Sequence, residues 1–127
     1  MSAKALGGAL RRALLGMIAA TGLSGAAAAD QMDWEVTSYY PYQVQLQFVS
    51  QSRSAAWPGD GQAYELNDDG TYSYSLNCES GELICYGAWA TGDASVYWGV
   101  GAAGDAACDN CCAVCGESSG MAVTLSE

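Results

Sequence analysis

The sequence contains no histidine, its lysine is confined to Lys4, and Arg53 is the sole basic residue after position 12. These gaps exclude Ser–His–Asp and Cys–His catalysis, HExxH metal sites and, beyond the first few residues, lysine Schiff bases. They also argue against nucleic acid, whose phosphates need Lys and Arg to displace counterions. The G-x-x-x-x-G-K-[ST] phosphate loop is missing as well. Phenylalanine occurs once and proline twice. After the first thirty residues no apolar run is long enough to cross a bilayer as a helix.

Those first residues read as an export signal. MSAKALGGALRR is short and basic, ALLGMIAATGL is modestly apolar, and AAAA supplies small residues up to Asp30. This is the order of a cleavable leader, with Ala27 and Ala29 at the −3 and −1 positions. Removal of residues 1–29 leaves 98 residues (30–127), the size of one small domain. No cysteine follows the cut to carry a lipid. Arg11-Arg12-Ala13-Leu14-Leu15 partly matches a twin-arginine signal, and the ordinary unfolded-chain route is the main expectation. The expected location is secreted or periplasmic, with no membrane insertion once the signal is gone.

The remaining chain carries one basic residue against fourteen acids, a net −13 for residues 30–127. Such a charge repels anionic surfaces and acidic molecules and favours cationic partners or a salty medium.

The dominant period is two. In YQVQLQFVS, Val44, Leu46 and Phe48 alternate with Gln43, Gln45 and Gln47, a half-buried strand. Tyr72, Tyr74, Leu76 and Cys78 share one face of a second strand, reached from AYEL through a hairpin turn at Asn67-Asp68-Asp69-Gly70. LICYGAWA, SVYWGVG and MAVTL supply further strands. QSRSAAWPGDGQ reads as a loop, residues 102–119 as irregular, and DQMDWEVTSYYP as a flexible arm or an edge strand. The expected fold is all-β: a small antiparallel sandwich or barrel, disulfide-stapled, with an irregular Cys-rich C-terminal segment. The run from YQVQLQFVS to QAY, followed in order by CYGAW, YWGVG and CDNCC, resembles a group of small exported bacterial proteins without an assigned activity. The resemblance covers most of residues 30–127 and brings no site residue with it.

Six cysteines (Cys78, Cys85, Cys108, Cys111, Cys112 and Cys115) are even in number in an expected exported domain, so disulfides are the first reading. Six cysteines allow 15 pairings. Adjacent Cys111 and Cys112 are expected to take different partners, since a ring between neighbours strains the bridge. Cys78 and Cys85, if both point inward, either bridge each other or reach the C-terminal cluster. The alternative is a metal-handling protein in which Cys108, Cys111, Cys112 and Cys115 hold copper(I) or zinc. Against it, the two C-x-x-C pairs lie back to back with no spacer.

Asp60, Glu65, Asp68, Asp69, Asp93, Asp105 and Asp109 fall mostly in turns. A glycoside-cleaving carboxylate pair or a weak calcium site among them ranks below their ordinary role as turn residues. Tyr39, Tyr40, Tyr42, Trp57 and Trp98 are candidates for a face that stacks on saccharide or protein; of these, Trp57, Tyr39 and Tyr40 are the first choice for partner contact. Arg53 is expected to pair with nearby carboxylates. The overall expectation is a non-catalytic binding domain or envelope component, with no cofactor. A small secreted inhibitor or toxin is a third class that nothing in the sequence favours.

Overall fold

The computed structural model describes residues 28–117 and 121–126. The expected signal lies outside them apart from Ala28 and Ala29. The described chain runs through β1 (Ala29–Ser38), β2 (Val44–Ser50), β3 (Ala56–Trp57), β4 (Tyr64–Leu66), β5 (Gly70–Glu79), β6 (Leu83–Ala90), β7 (Asp93–Gly99), β8 (Cys112–Val114) and β9 (Met121–Leu125). They form two sheets, one ordered β5-β1-β9, the other β3-β2-β6-β7 with β4 also on β2 and β8 also on β6. The fold is all-β and disulfide-stapled. Among the described residues no helix is long and apolar enough to cross a membrane.

Alternation decides which side chains turn inward. Met32, Trp34 and Val36 of β1 face Val44, Leu46 and Phe48 of β2, and all six are buried. Leu76 and Cys78 of β5, Ile84, Tyr86 and Ala88 of β6, and Val123 and Leu125 of β9 complete the core. Trp34 joins the sheets: its ring centroid lies 4.9 Å from Phe48 and 6.2 Å from Tyr86.

Several expectations need correction. The segment DQMDWEVTS is neither an arm nor an edge; β1 is the central strand of its sheet, paired with β5 along its whole length and with β9 over Trp34–Ser38. The β1–β9 pair is parallel, the exception in an otherwise antiparallel sandwich. The Asn67-Asp68-Asp69-Gly70 turn does not close a hairpin. β4 pairs with β2, so this turn carries the chain from one sheet to the other. Tyr72 secures that crossing, its hydroxyl donating to Asp68 O (2.7 Å) and accepting from Asp68 N (3.1 Å). The loop around Trp57 contains β3, and the irregular C-terminal segment contains β8; at two and three residues, both are too short to show a period.

Residues 100–110 fold over the outer face of β6. Gly87 makes this possible, because a Cβ there would collide with the carbonyl oxygen of Gly101. Gln47 Nε2 fastens the loop by donating to Ala102 O (3.0 Å). Gly87→Ala is therefore expected to cost about 1–3 kcal/mol through backbone displacement, measured by urea denaturation. An unchanged midpoint would contradict this packing.

Candidate functional site

The cysteines pair as Cys78–Cys115, Cys85–Cys112 and Cys108–Cys111, with none free. Cys111 and Cys112 do take different partners, and Cys78 and Cys85 both reach the C-terminal cluster. They do so from opposite faces. Cys78 points into the core and joins the two sheets, its Cα 6.3 Å from that of Cys115. Cys85 lies out of step with inward Ile84 and Tyr86, so it faces outward, where it meets its register partner Cys112 on β8. The condition that both point inward is met by Cys78 alone. Leu83 and Trp89 share the outward face with Cys85, which is buried nonetheless because β8 and the adjoining segment cover it.

This arrangement divides Cys108, Cys111, Cys112 and Cys115 among three bridges. Cys111 and Cys115 sit in the core, Cys112 on the outer face and Cys108 at the surface. A tetrahedral thiolate site needs four sulfurs converging on one point. Among the described residues no group of three or more His, Cys, Asp or Glu is placed to hold a metal ion. Asp60, Asp68, Asp69, Asp105 and Asp109 lie in loops and turns. Glu65-Leu66-Asn67-Asp68-Asp69-Gly70 resembles the first half of a calcium loop, but Glu stands at its first position and the buried Leu76 at its twelfth, where a bidentate Glu belongs. Moreover, Glu65 belongs to β4, and Asn67 Oδ1 accepts a hydrogen bond from Gln43 Nε2 (2.5 Å). Asp93 caps its own turn: the hydroxyl and amide of Ser95 donate to it and hold its carboxyl below the usual range. Residues 99–104, GVGAAG, match the G-x-G-x-x-G spacing of dinucleotide-binding turns. Here the segment leaves β7 for the loop packed on β6, and among the described residues no helix follows to offer its N-terminus to a phosphate.

Among the described residues Glu82 is the buried carboxylate, and it is committed to structure. Arg53 donates to it through Nε (2.7 Å) and Nη2 (3.1 Å), and the Glu79 amide donates at 2.9 Å. Burial alone would push the Glu82 carboxyl up. The hydrogen bonds from Arg53, Ser50 and the Glu79 amide, with the charge of Arg53, outweigh burial and hold it below the ordinary value. Arg53 also lies 3.7 Å from Glu79, so it is the expected ion-pair partner. A carboxyl depressed in the folded state stabilises the fold above its unfolded pKa and loses that contribution as pH falls through the folded value. Glu82→Ala should therefore cost about 2–3 kcal/mol near neutrality, with the gap to the parent narrowing below about pH 4. Denaturant melts across that range check both; a gap independent of pH would show that the ionised carboxylate is not what stabilises.

The remaining feature is aromatic. Between β1 and β2 the chain turns through Tyr39, Tyr40, Pro41 and Tyr42. The turn is held by its backbone: Tyr39 N donates to Leu125 O (2.8 Å), Tyr40 N to the buried Ser38 Oγ (3.3 Å), and Thr91 N to Gln43 O (3.1 Å). Tyr40 packs edge-on against Trp98 of β7 at 5.2 Å and against Tyr42 at 5.7 Å. Trp98 Nε1 donates to Ser126 O (2.8 Å). On this support Tyr39 and Tyr42 stand 62% and 70% exposed.

Known proteins add nothing here: no family model, curated protein or solved structure matches the chain.

The structure thus gathers Tyr40, Tyr42 and Trp98, with Tyr39 beside them, and leaves Trp57 elsewhere. Trp57 pairs with Phe48 near the far end of β2, whereas the tyrosine turn enters at Val44. It is half-buried, donates Nε1 to Asn77 O (3.0 Å) and lies under Arg53 at 5.9 Å. Trp57, named above for partner contact, thus packs partly against β5 and stands apart from the tyrosine turn. Ser38 and Ser126, which hold the aromatic turn, carry no signal in the sequence. The exposed Tyr97 was also missed, although its place one residue from Trp98 puts it on the opposite face of β7.

A second surface lies on the outer face of the β5-β1-β9 sheet. A shallow depression of about 470 Å³ there is lined by Asp33, Glu35, Ser73 and Ser75 among others. Ser75 Oγ donates to Asp33, Gln31 bonds Asn77 and Thr37 bonds Thr71, so the face is a ladder of polar cross-strand pairs. Asp33 and Glu35 were legible as alternate polar positions in MDWEV and were not singled out.

Proposed function

We propose that this chain is an exported, non-catalytic binding domain whose contact surface is the aromatic turn of Tyr39, Tyr40 and Tyr42 backed by Trp98. The observation that carries the reading is the exposure of Tyr39 and Tyr42 on a backbone turn fixed from three sides. Large rigid rings with polar tips, already ordered, lose little entropy when a partner covers them. Binding rather than catalysis fits the buried carboxylate's commitment to Arg53 and the lack of histidine. Export fits three disulfides in one small domain and the leader-like first residues. The partner is a saccharide or a protein that tolerates or complements negative charge.

The test compares the parent with a Tyr39→Ala/Tyr42→Ala double variant. Each is immobilised and challenged with solubilised envelope proteins and, separately, with envelope saccharides from the source cell. The reading expects one fraction to be retained by the parent and lost about tenfold or more in the variant, with unchanged thermal unfolding. Equal retention by both proteins removes the aromatic turn as the contact surface.

A further inference from the structure

The three bridges differ in where they sit and in what they hold. Cys78, Cys85, Cys111 and Cys115 are buried, and Cys112 is half-buried beside β6, so the Cys108–Cys111 bridge meets solvent through Cys108. Cys108 is the one exposed cysteine of the six, and Asp109 and Asn110, which follow it, are exposed as well. The Cys78–Cys115 and Cys85–Cys112 bridges span 37 and 27 residues and tie the C-terminal segment to β5 and β6. Cys108–Cys111 spans three residues within a single irregular stretch. Cys111 does not need it for its place, because its carbonyl accepts from Tyr86 N (2.9 Å) and its neighbour Cys112 is bonded to Cys85. This is the bridge that the fold needs least and that solvent reaches most easily.

Thiol–disulfide exchange requires a thiolate to reach a bridge sulfur. The attacking thiolate is negative, and the field it enters is negative too. Asp105 precedes the bridge and Asp109 lies within its loop, the chain carries a net −10, and Arg53 is paired with Glu82 and Glu79. A second negative group on the thiol adds repulsion, and an ammonium group offsets it.

We propose that Cys108–Cys111 is a thiol–disulfide exchange site, opened by cationic thiols in preference to anionic ones while the other two bridges hold the fold. A thiolate attacks Cys108 Sγ, the sulfur–sulfur bond breaks, and its electron pair leaves on Cys111 Sγ, which takes a proton from solvent. The product is a mixed disulfide at Cys108 and a thiol at Cys111. A second thiolate attacks the sulfur of the bound thiol and releases Cys108 as a thiol. Overall two thiols are oxidised to one disulfide and the protein bridge is reduced by two electrons. This site is independent of the aromatic turn.

The experiment exposes the oxidised protein at low salt to 2-aminoethanethiol or to 3-mercaptopropionate at equal thiolate concentration. Each rate is divided by that on a small neutral disulfide, and samples are quenched by alkylation and mapped by peptide mass. The expected early product is modified at Cys108 and Cys111 alone, formed about tenfold or more faster than any product of the other bridges. The cationic thiol is expected to lead by about tenfold, with the lead shrinking near 1 M salt, where screening reaches about 3 Å. A Cys108→Ser/Cys111→Ser variant should stay folded and take up no thiol. Opening of a buried bridge first, or of all three together, overturns the site. Equal normalised rates for the two thiols overturn its charge preference.

Discussion

Trp34→Ala is expected to lower the free energy of unfolding by about 3–5 kcal/mol. Domains of this size are held by about 5–15 kcal/mol in all, so the variant should sit near the limit of folding. The reason is position as well as size. Trp34 is 1% exposed and stands on the central strand of the smaller sheet. Its ring touches Phe48 of β2 and faces Tyr86 of β6, so removing it opens a void between the layers that neither sheet can close alone. Phe48 in turn packs on Tyr74 at 5.7 Å, and Tyr74 on Tyr64 at 4.5 Å, so the loss spreads along an aromatic chain between the sheets. Burial within that chain, with the neighbouring Tyr72 and Tyr64, pushes the Tyr74 hydroxyl up to about 12. Urea denaturation with the bridges intact measures the effect. A loss below about 1 kcal/mol, the level of an ordinary surface change, would place Trp34 outside the core.

Cys78→Ala/Cys115→Ala is expected to cost about 3–4 kcal/mol, more than either other bridge. In the chain-entropy view the penalty for opening a bridge rises with the loop it closes, and this loop is the longest of the three. It also crosses between the sheets, fixing the segment after β8 against the end of β5. Gly81 N donates to Cys115 O (2.9 Å) and Cys115 N to Glu82 O (2.8 Å), so the bridge reinforces a junction that the backbone already forms. Thermal unfolding of the three paired-alanine variants checks the order. A Cys78/Cys115 variant as stable as the parent would mean that the sheets hold that junction without it.

The strands were legible where alternation was long enough to show. Val44, Leu46 and Phe48 read as inward and are fully buried; Tyr72, Tyr74, Leu76 and Cys78 share the face assigned to them. Alternation fixes which side of a strand meets the core, and it says nothing about which strand lies alongside. For that reason β4 and β5, separated by strong turn residues, looked like a hairpin although they belong to different sheets. The same limit hid the parallel pairing of β1 with β9. β1 is legible on the same ground, since Met32, Trp34 and Val36 alternate cleanly in MDWEV. The side on which Cys85 lies was open in the sequence, because Leu83 and Trp89, in step with it, are apolar on an outer face. β8, paired across from Cys85, buries that outer face. The aromatic turn was half visible: Tyr39, Tyr40 and Tyr42 are neighbours in sequence, but Trp98 joins them only through the path of β7.

The disulfide map tests the central claim most directly, because the frame that presents the aromatic turn depends on it. The measurement is the mass of the protein before and after reduction, with alkylation at each stage, followed by fragmentation of the unreduced peptides between Cys111 and Cys112. The expected result is no alkylation before reduction, six alkyl groups after it, and linkages Cys78–Cys115, Cys85–Cys112 and Cys108–Cys111. Reactive thiols, a metal adduct on Cys108, Cys111, Cys112 and Cys115, or a different pairing would contradict the account.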